Sequence, residues 1–153
     1  MLPIKRILWP TDFSEPSYEA LKTAQELAEH FSAELYVLHV IAPIPMLSSA
    51  HRPDGFDVNV FHDQLKKSSY ESLGKAVQNR INKGINYHQR VVMGRAPDEI
   101  VRTAQDENVD LIVIATHGET GWRHLVFGSV AEKVVRFATC PVLTIQEPEK
   151  TKG

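Results

Sequence analysis

The sequence is short of most features that would mark a specialised class. It has one cysteine, Cys140, in 153 residues. No disulfide can form within the chain, and a lone thiol suits a reducing compartment. No hydrophobic run is long enough to span a bilayer, and Met1–Trp9 is too short and too charged for a signal peptide. A cytoplasmic location is the expectation. Neither charge sign dominates: 17 Lys and Arg face 19 Asp and Glu, a net charge of -2. That removes any electrostatic argument for nucleic acid or an anionic membrane as a partner. There is no internal repeat and no low-complexity tract. The chain has no G-x4-G-K-[ST] loop, no G-x-G-x-x-G after the first strand and no G-x-S-x-G elbow. No general base stands beside a nucleophile. The seven histidines make no metal signature, since His117 and His124 are seven apart without a cysteine or a close carboxylate set.

What remains is an ordinary globular balance, 42% hydrophobic and 24% charged, in a length that suits one domain with a sizeable core. That domain is expected over residues 1–146, with a charged, flexible tail over 147–153. Ile4–Trp9 reads as a strand that Pro10 ends, and Ser14 is placed to cap the next helix. Leu21, Ala24, Ala28 and Phe31 repeat at helical spacing along one face of it. Leu35–Ile41 is a second strand. Pro43–Asp57 has three prolines and no period, and reads as a long loop or lid. A helix is predicted over Val58–Lys83, burying Phe61, Leu65, Leu73, Ala76 and Val77, with Gly84 as its left-handed cap. Asn86–Val92 has a polar middle that suits a sheet edge. Pro97 opens a third helix, with Ile100, Val101 and Ala104 inward. Cys140–Ile145 reads as the last strand, with Cys140 an inert buried thiol. Five strands alternating with four helices predict a three-layer α/β sheet, mostly parallel. Strand order cannot be read from periodicity.

The most informative stretch is Asp110–Ser129, DLIVIATHGETGWRHLVFGS. Leu111–Ala115 is a short apolar run that suits a strand buried on both faces. A polar, glycine-containing segment follows, and then a helix predicted over 130–137. Ser129 and Glu132 have the S-x-x-E spacing of a capping box. Strand, glycine loop and helix start gather free N–H groups and the positive end of a helix dipole, an arrangement that favours a phosphate. The same residues would also make a plain turn and a capped helix, and spacing alone does not separate the two.

ATHGETGWRHLVFGSVAEKVVRFATCPVLTI resembles the C-terminal signature of the universal stress protein family, whose nucleotide-binding members carry G-x2-G-x9-G-[ST]. Gly118, Gly128 and Ser129 match that pattern, and Ala115 stands where its first glycine would be. IKRILWPTDFSEPSYEAL is similar to the family's opening strand and turn. The resemblance implies a Rossmann-like, adenine nucleotide alpha hydrolase-like fold: an open five-stranded parallel sheet of order 3-2-1-4-5 with helices on both faces. It also implies an ATP site beyond the strand ends, where the Pro10–Ser14 and Thr116–Ser129 loops meet. The implied binding residues are Pro10, Thr11, Asp12, Val40, Ala115, His117, Gly118, Gly128, Ser129 and Val130. Asp12 would accept bonds from a ribose or help hold Mg2+ or Mn2+ beside the phosphates. The backbone of Val40 would meet the adenine, and Gly118 and Gly128 would let the backbone approach phosphate oxygens. Alternatives stay open for each. Asp12 also suits a turn that bonds its own backbone, Val40 suits core packing, and Ser129 suits a simple cap. Trp9 and Trp122 read as packing residues.

Three functions follow. The first is an ATP-binding sensor or switch in a stress response, with slow hydrolysis at most. The second is a dimeric interaction module that binds no nucleotide. The third is a nucleotide hydrolase, disfavoured by the missing base and nucleophile. A homodimer through the last strand, an apolar sheet edge, fits the first two.

Overall fold

The computed structural model describes residues 2–44, 55–117 and 127–148. The element order is β1 (Arg6–Pro10), α1 (Glu15–Phe31), β2 (Glu34–Ile41), α2 (Val58–Gln78), β3 (Tyr87–Met93), α3 (Ala96–Asp106), β4 (Leu111–Ala115), α4 (Ser129–Phe137) and β5 (Val142–Ile145). The five strands form one parallel sheet in the order β3-β2-β1-β4-β5, as the resemblance implied.

Side-chain alternation divides the core between the two faces of this sheet. Ile7 and Trp9 of β1, Leu35 and Val37 of β2, and Leu111 and Val113 of β4 pack against Leu21, Ala24 and Ala28 of α1 and Leu73 and Val77 of α2. Leu8, Tyr36, Leu38, Ile112 and Ile114 face the other way, toward Ile100 and Ala104 of α3 and Ala131 and Val134 of α4. β1, β2 and β4 are covered on both faces, which explains their near-continuous apolar runs. β3 is an edge strand, and its seven residues are all half-buried, consistent with its polar middle.

Several details differ from the sequence expectation: β1 runs Arg6–Pro10 and so includes the proline expected to end it, and β3 runs Tyr87–Met93. α2 ends at Gln78 rather than Lys83. Gln25 of α1 takes hold of the chain there, donating to Arg80 O (3.0 Å) and accepting from Asn82 N (2.6 Å). That tertiary grip stops the helix early, so Gly84 (φ +98°) serves the turn into β3 rather than a helix cap. Only Leu73 and Val77 of α2 are buried; Phe61, Leu65 and Ala76 are half-buried. In α3, Thr103 rather than Val101 joins Ile100 and Ala104 on the buried face. β5 starts at Val142, because Pro141 has no N–H to give the ladder. Most of the expected Pro43–Asp57 loop and of the tail lies outside the described residues. No helix among the described residues is long and apolar enough to cross a membrane.

Candidate functional site

β1 lies between β2 and β4. The chain leaves β1 toward α1 on one face and leaves β4 toward α4 on the other. The two exits open a crevice beyond the strand ends, the usual ligand position in open α/β sheets. A cavity of about 350 Å³ fills it. Its lining includes Pro10, Thr11, Asp12, Val40, Ala115, His117, Gly128, Ser129 and Val130. Of the expected residues only Gly118 is missing, and it lies outside the described residues, as do Trp122, Arg123 and His124. The lining also contains Ser17, Leu38, Ala96, Ile100, Ile114, Thr116 and Ala131. None of these was among the expected binding residues, although Thr116 opens the loop expected at the site. Ala96 and Ile100 belong to α3, and only the strand order brings its first turn here.

The β1–α1 loop is held almost entirely by its own hydrogen bonds. Thr11 N donates to Leu38 O (2.8 Å), prolonging the sheet by one bond. Thr11 Oγ1 accepts from Phe13 N (3.0 Å) and lies 2.8 Å from Ser17 Oγ, which in turn donates to Ser14 O (2.8 Å). His39 Nδ1 is 2.9 Å from Thr11 O, and its ring lies 4.5 Å from that of Phe13. These contacts hold Phe13 at φ +65°, a left-handed conformation costing about 1–2 kcal/mol for a residue with a Cβ. Asp12 is exposed at the cavity. Its Oδ1 accepts from both Ser14 N and Ser14 Oγ, so it forms the turn foreseen as its alternative role and still lines the cavity. Ser14 caps α1 as expected, accepting from Ser17 N (3.3 Å).

The β4–α4 side is built differently. Gly128, not Ser129, is the N-cap of α4, and no side chain caps this helix. The expected capping box is absent. Gly128 N donates to Thr116 O (2.6 Å), which draws the chain in one residue early and makes Ser129 the first helical residue. Glu132 instead pairs with Arg136. A Cβ on Gly128 would lie 2.8 Å from Thr116 O. The glycine is thus required by the backbone of Thr116, just past β4, whatever a ligand demands. The N–H groups of Ser129, Val130 and Ala131 have no acceptor within the helix, and all three residues line the cavity. α3 also starts at the cavity without a side-chain cap, but its first turn carries two carboxylates, Asp98 and Glu99, against the one, Glu132, of α4. An anion is therefore better stabilised at α4.

Two further walls matter. Leu38 O bonds toward β1, and Ile41 O accepts from Gly94 N (2.9 Å) on the β3 side. Strand alternation then turns the N–H and C=O of Val40 toward β1, beyond the last β1–β2 pair, Pro10↔Leu38. This gives the cavity a backbone donor and acceptor side by side. Ala115 packs its methyl with the α1-side cluster, away from the α3–α4 wall. Thr116 is buried and its Oγ1 lies 3.0 Å from His117 Nδ1. Trp9 is fully buried and its Nε1 donates to Ser17 O (2.8 Å), a packing role as expected. Cys140 is half-buried rather than buried, and desolvation raises its pKa, which favours the unreactive thiol. Among the described residues no group of three His, Cys, Asp or Glu could hold a metal ion.

The universal stress protein family matches residues 3–146. Universal stress protein MJ0531 of Methanocaldococcus jannaschii is 36% identical over 146 residues, covering 95% of this chain and 84% of its own. Universal stress protein YxiE of Bacillus subtilis is 30% identical, with 92% and 98% covered. The solved structure of MJ0577 is 32% identical, has a TM-score of 0.72, and is covered over 97% of its length by 95% of this chain. More distant structures share the fold. One is a universal stress protein in complex with cAMP (19% identical, TM-score 0.64; 94% and 97% covered). Another is the Archaeoglobus fulgidus universal stress protein in complex with dAMP (23%, TM-score 0.60; 95% and 99% covered). With matched family, relatives and sheet order in agreement, this chain belongs to the universal stress protein family.

Proposed function

We propose that the cavity binds ATP and that the chain acts in the cytoplasm as a nucleotide-dependent switch in a stress response. The observation that carries this reading is the meeting of three ligand-ready walls in one cavity. The first turn of α4 offers three N–H groups without helical acceptors, which suits phosphate oxygens. Val40 offers adjacent backbone N–H and C=O groups, a pair able to read the edge of an adenine. Asp12 offers a carboxylate at the β1 end. The cAMP and dAMP complexes of distant relatives support an adenine nucleotide as the ligand class. The methyl of Ala115, turned into the α1-side cluster, leaves room on the α3–α4 side.

Among the described residues that line the cavity, a divalent cation would find one carboxylate, Asp12. That fits Mg2+ or Mn2+, which bind through one or two carboxylates and the substrate phosphates. With the ion bound, its charge would offset that of the phosphates while Asp12 orients it. Nothing among the described residues stands ready to activate a water, so any hydrolysis is expected below the ~1–10³ s⁻¹ usual for enzymes. Calorimetric titration with ATP, with and without Mg2+, tests the reading, and quenching of Trp9 fluorescence offers a second signal through Ser17. Absence of binding at millimolar ATP contradicts it.

We also infer a homodimer through β5. It is the sheet edge opposite β3, and Leu143 is exposed there. Antiparallel pairing of two β5 strands would satisfy their free backbone groups around a two-fold axis. Leu143→Glu should shift the sedimenting mass toward monomer. A wild-type monomer at micromolar concentration would refute the dimer.

A further inference from the structure

The β1–β2 ladder stops one bond short of where its register would carry it. Thr11 N donates to Leu38 O (2.8 Å). In a parallel ladder the C=O of the same residue next accepts from the N–H two residues further along the partner strand, here that of Val40. The paired residues end at Pro10↔Leu38, so that rung is not made. Thr11 O is occupied instead by the side chain in between, with His39 Nδ1 2.9 Å away. A carbonyl only accepts, so Nδ1 carries the proton. Strand alternation puts His39 on the α1 side of the sheet with Leu35 and Val37, where its ring lies 4.5 Å from that of Phe13. His39 is not among the residues lining the cavity, whereas Thr11 and Val40 are. Among the described residues the Val40 N–H has no backbone acceptor on the β1 side.

We propose that His39 is a positioning residue for the cavity, acting on it from the other side of the sheet. Its imidazole N–H replaces the Val40 N–H on Thr11 O, ends the ladder early and leaves the Val40 donor to a ligand. Thr11 is then held by β2 on both of its backbone groups, so the chain enters Asp12 from a set position. A residue with no donor at position 39 lets β1 and β2 close one more rung, which consumes the Val40 N–H. Loss of the imidazole therefore costs ligand binding rather than stability, the reverse of the usual outcome at a packed position. The inference rests on the nucleotide reading above and adds to it a residue that touches no ligand.

The test combines amide hydrogen exchange at Val40, read by NMR, with calorimetric titration of ATP on the wild type, His39→Phe and His39→Asn. His39→Phe keeps a ring beside Phe13 and removes the donor. His39→Asn gives up the ring and keeps a donor near the position of Nδ1. Without ATP, the wild-type Val40 amide should exchange faster than those of Val37 and Leu38, and ATP should slow it. In His39→Phe the Val40 amide should be slow before ATP is added. The melting temperature of this variant should be unchanged or raised, and ATP should bind roughly three- to tenfold more weakly, the range of one net hydrogen bond. His39→Asn should match the wild type in exchange and in affinity. Equal ATP affinity in the wild type and His39→Phe overturns this proposal and leaves the ATP reading standing. A Val40 amide that exchanges equally fast in those two proteins overturns it as well. A wild type that binds no ATP removes the nucleotide reading and this proposal with it. If His39→Phe does not fold, His39→Val takes its place beside the wild-type exchange measurement, and a Val40 amide as protected as that of Leu38 before ATP is added contradicts the proposal outright.

Discussion

Ser14 and Ser129 both stand at the mouth of a helix beside the same cavity, and they do different jobs. Ser14 is the cap of α1, closing its turn on Ser17 N and Asp12. Ser129 is the first residue inside α4, because Gly128 has already taken the cap position and has no side chain to offer. The β1–α1 loop therefore turns its hydroxyls inward onto its own groups. The β4–α4 junction leaves its N–H groups for something else. In a single cavity, one wall is finished and the other is left open.

The contrast can be broken first at Gly128. Gly128→Val forces a Cβ against Thr116 O and pushes the start of α4 off β4. ATP affinity should fall by on the order of a hundredfold, about 2.8 kcal/mol, with a lowered melting temperature; calorimetry and thermal melting read the two effects. Asp12→Ala removes the carboxylate and its turn, and a loss of affinity near tenfold is expected in the same titration. Ser14→Ala should cost about 1 kcal/mol of stability as a lost cap, or a melting temperature lower by roughly 2–4 °C. Ser129→Ala should change stability by less than about 0.5 kcal/mol while weakening ATP severalfold. A melting shift for Ser129→Ala equal to that for Ser14→Ala would erase the distinction. Glu132→Gln, removing an exposed pair with Arg136, should cost no more than about 0.5 kcal/mol if Glu132 has no capping role.

The same pair of residues marks how far the sequence could be read. Apolar runs locate β1, β2 and β4, because these strands are buried on both faces and say so in their composition. The Leu111–Ala115 limits of β4 come out without error. Ser14 is legible as a cap because nothing nearby competes for the role. Ser129 has the same signature, S-x-x-E, but the bond from Gly128 N to Thr116 O is a tertiary contact that no local spacing records. The early end of α2 has the same origin in Gln25, a residue 55 positions from Arg80. Strand order was not available from periodicity either. Without it, Ala96 and Ile100 could not be assigned to the cavity, whereas the residues on the two loops could.

On the proposed reading, the open wall at α4 holds the phosphates of ATP. Calorimetric titration of the wild type with ATP and Mg2+, repeated on Gly128→Val and Ser129→Ala, tests it most directly. The predicted result is saturable binding of one nucleotide per chain, severalfold weaker in Ser129→Ala and about a hundredfold weaker in Gly128→Val. No binding by the wild type at millimolar ATP, or equal affinity in all three proteins, would contradict it.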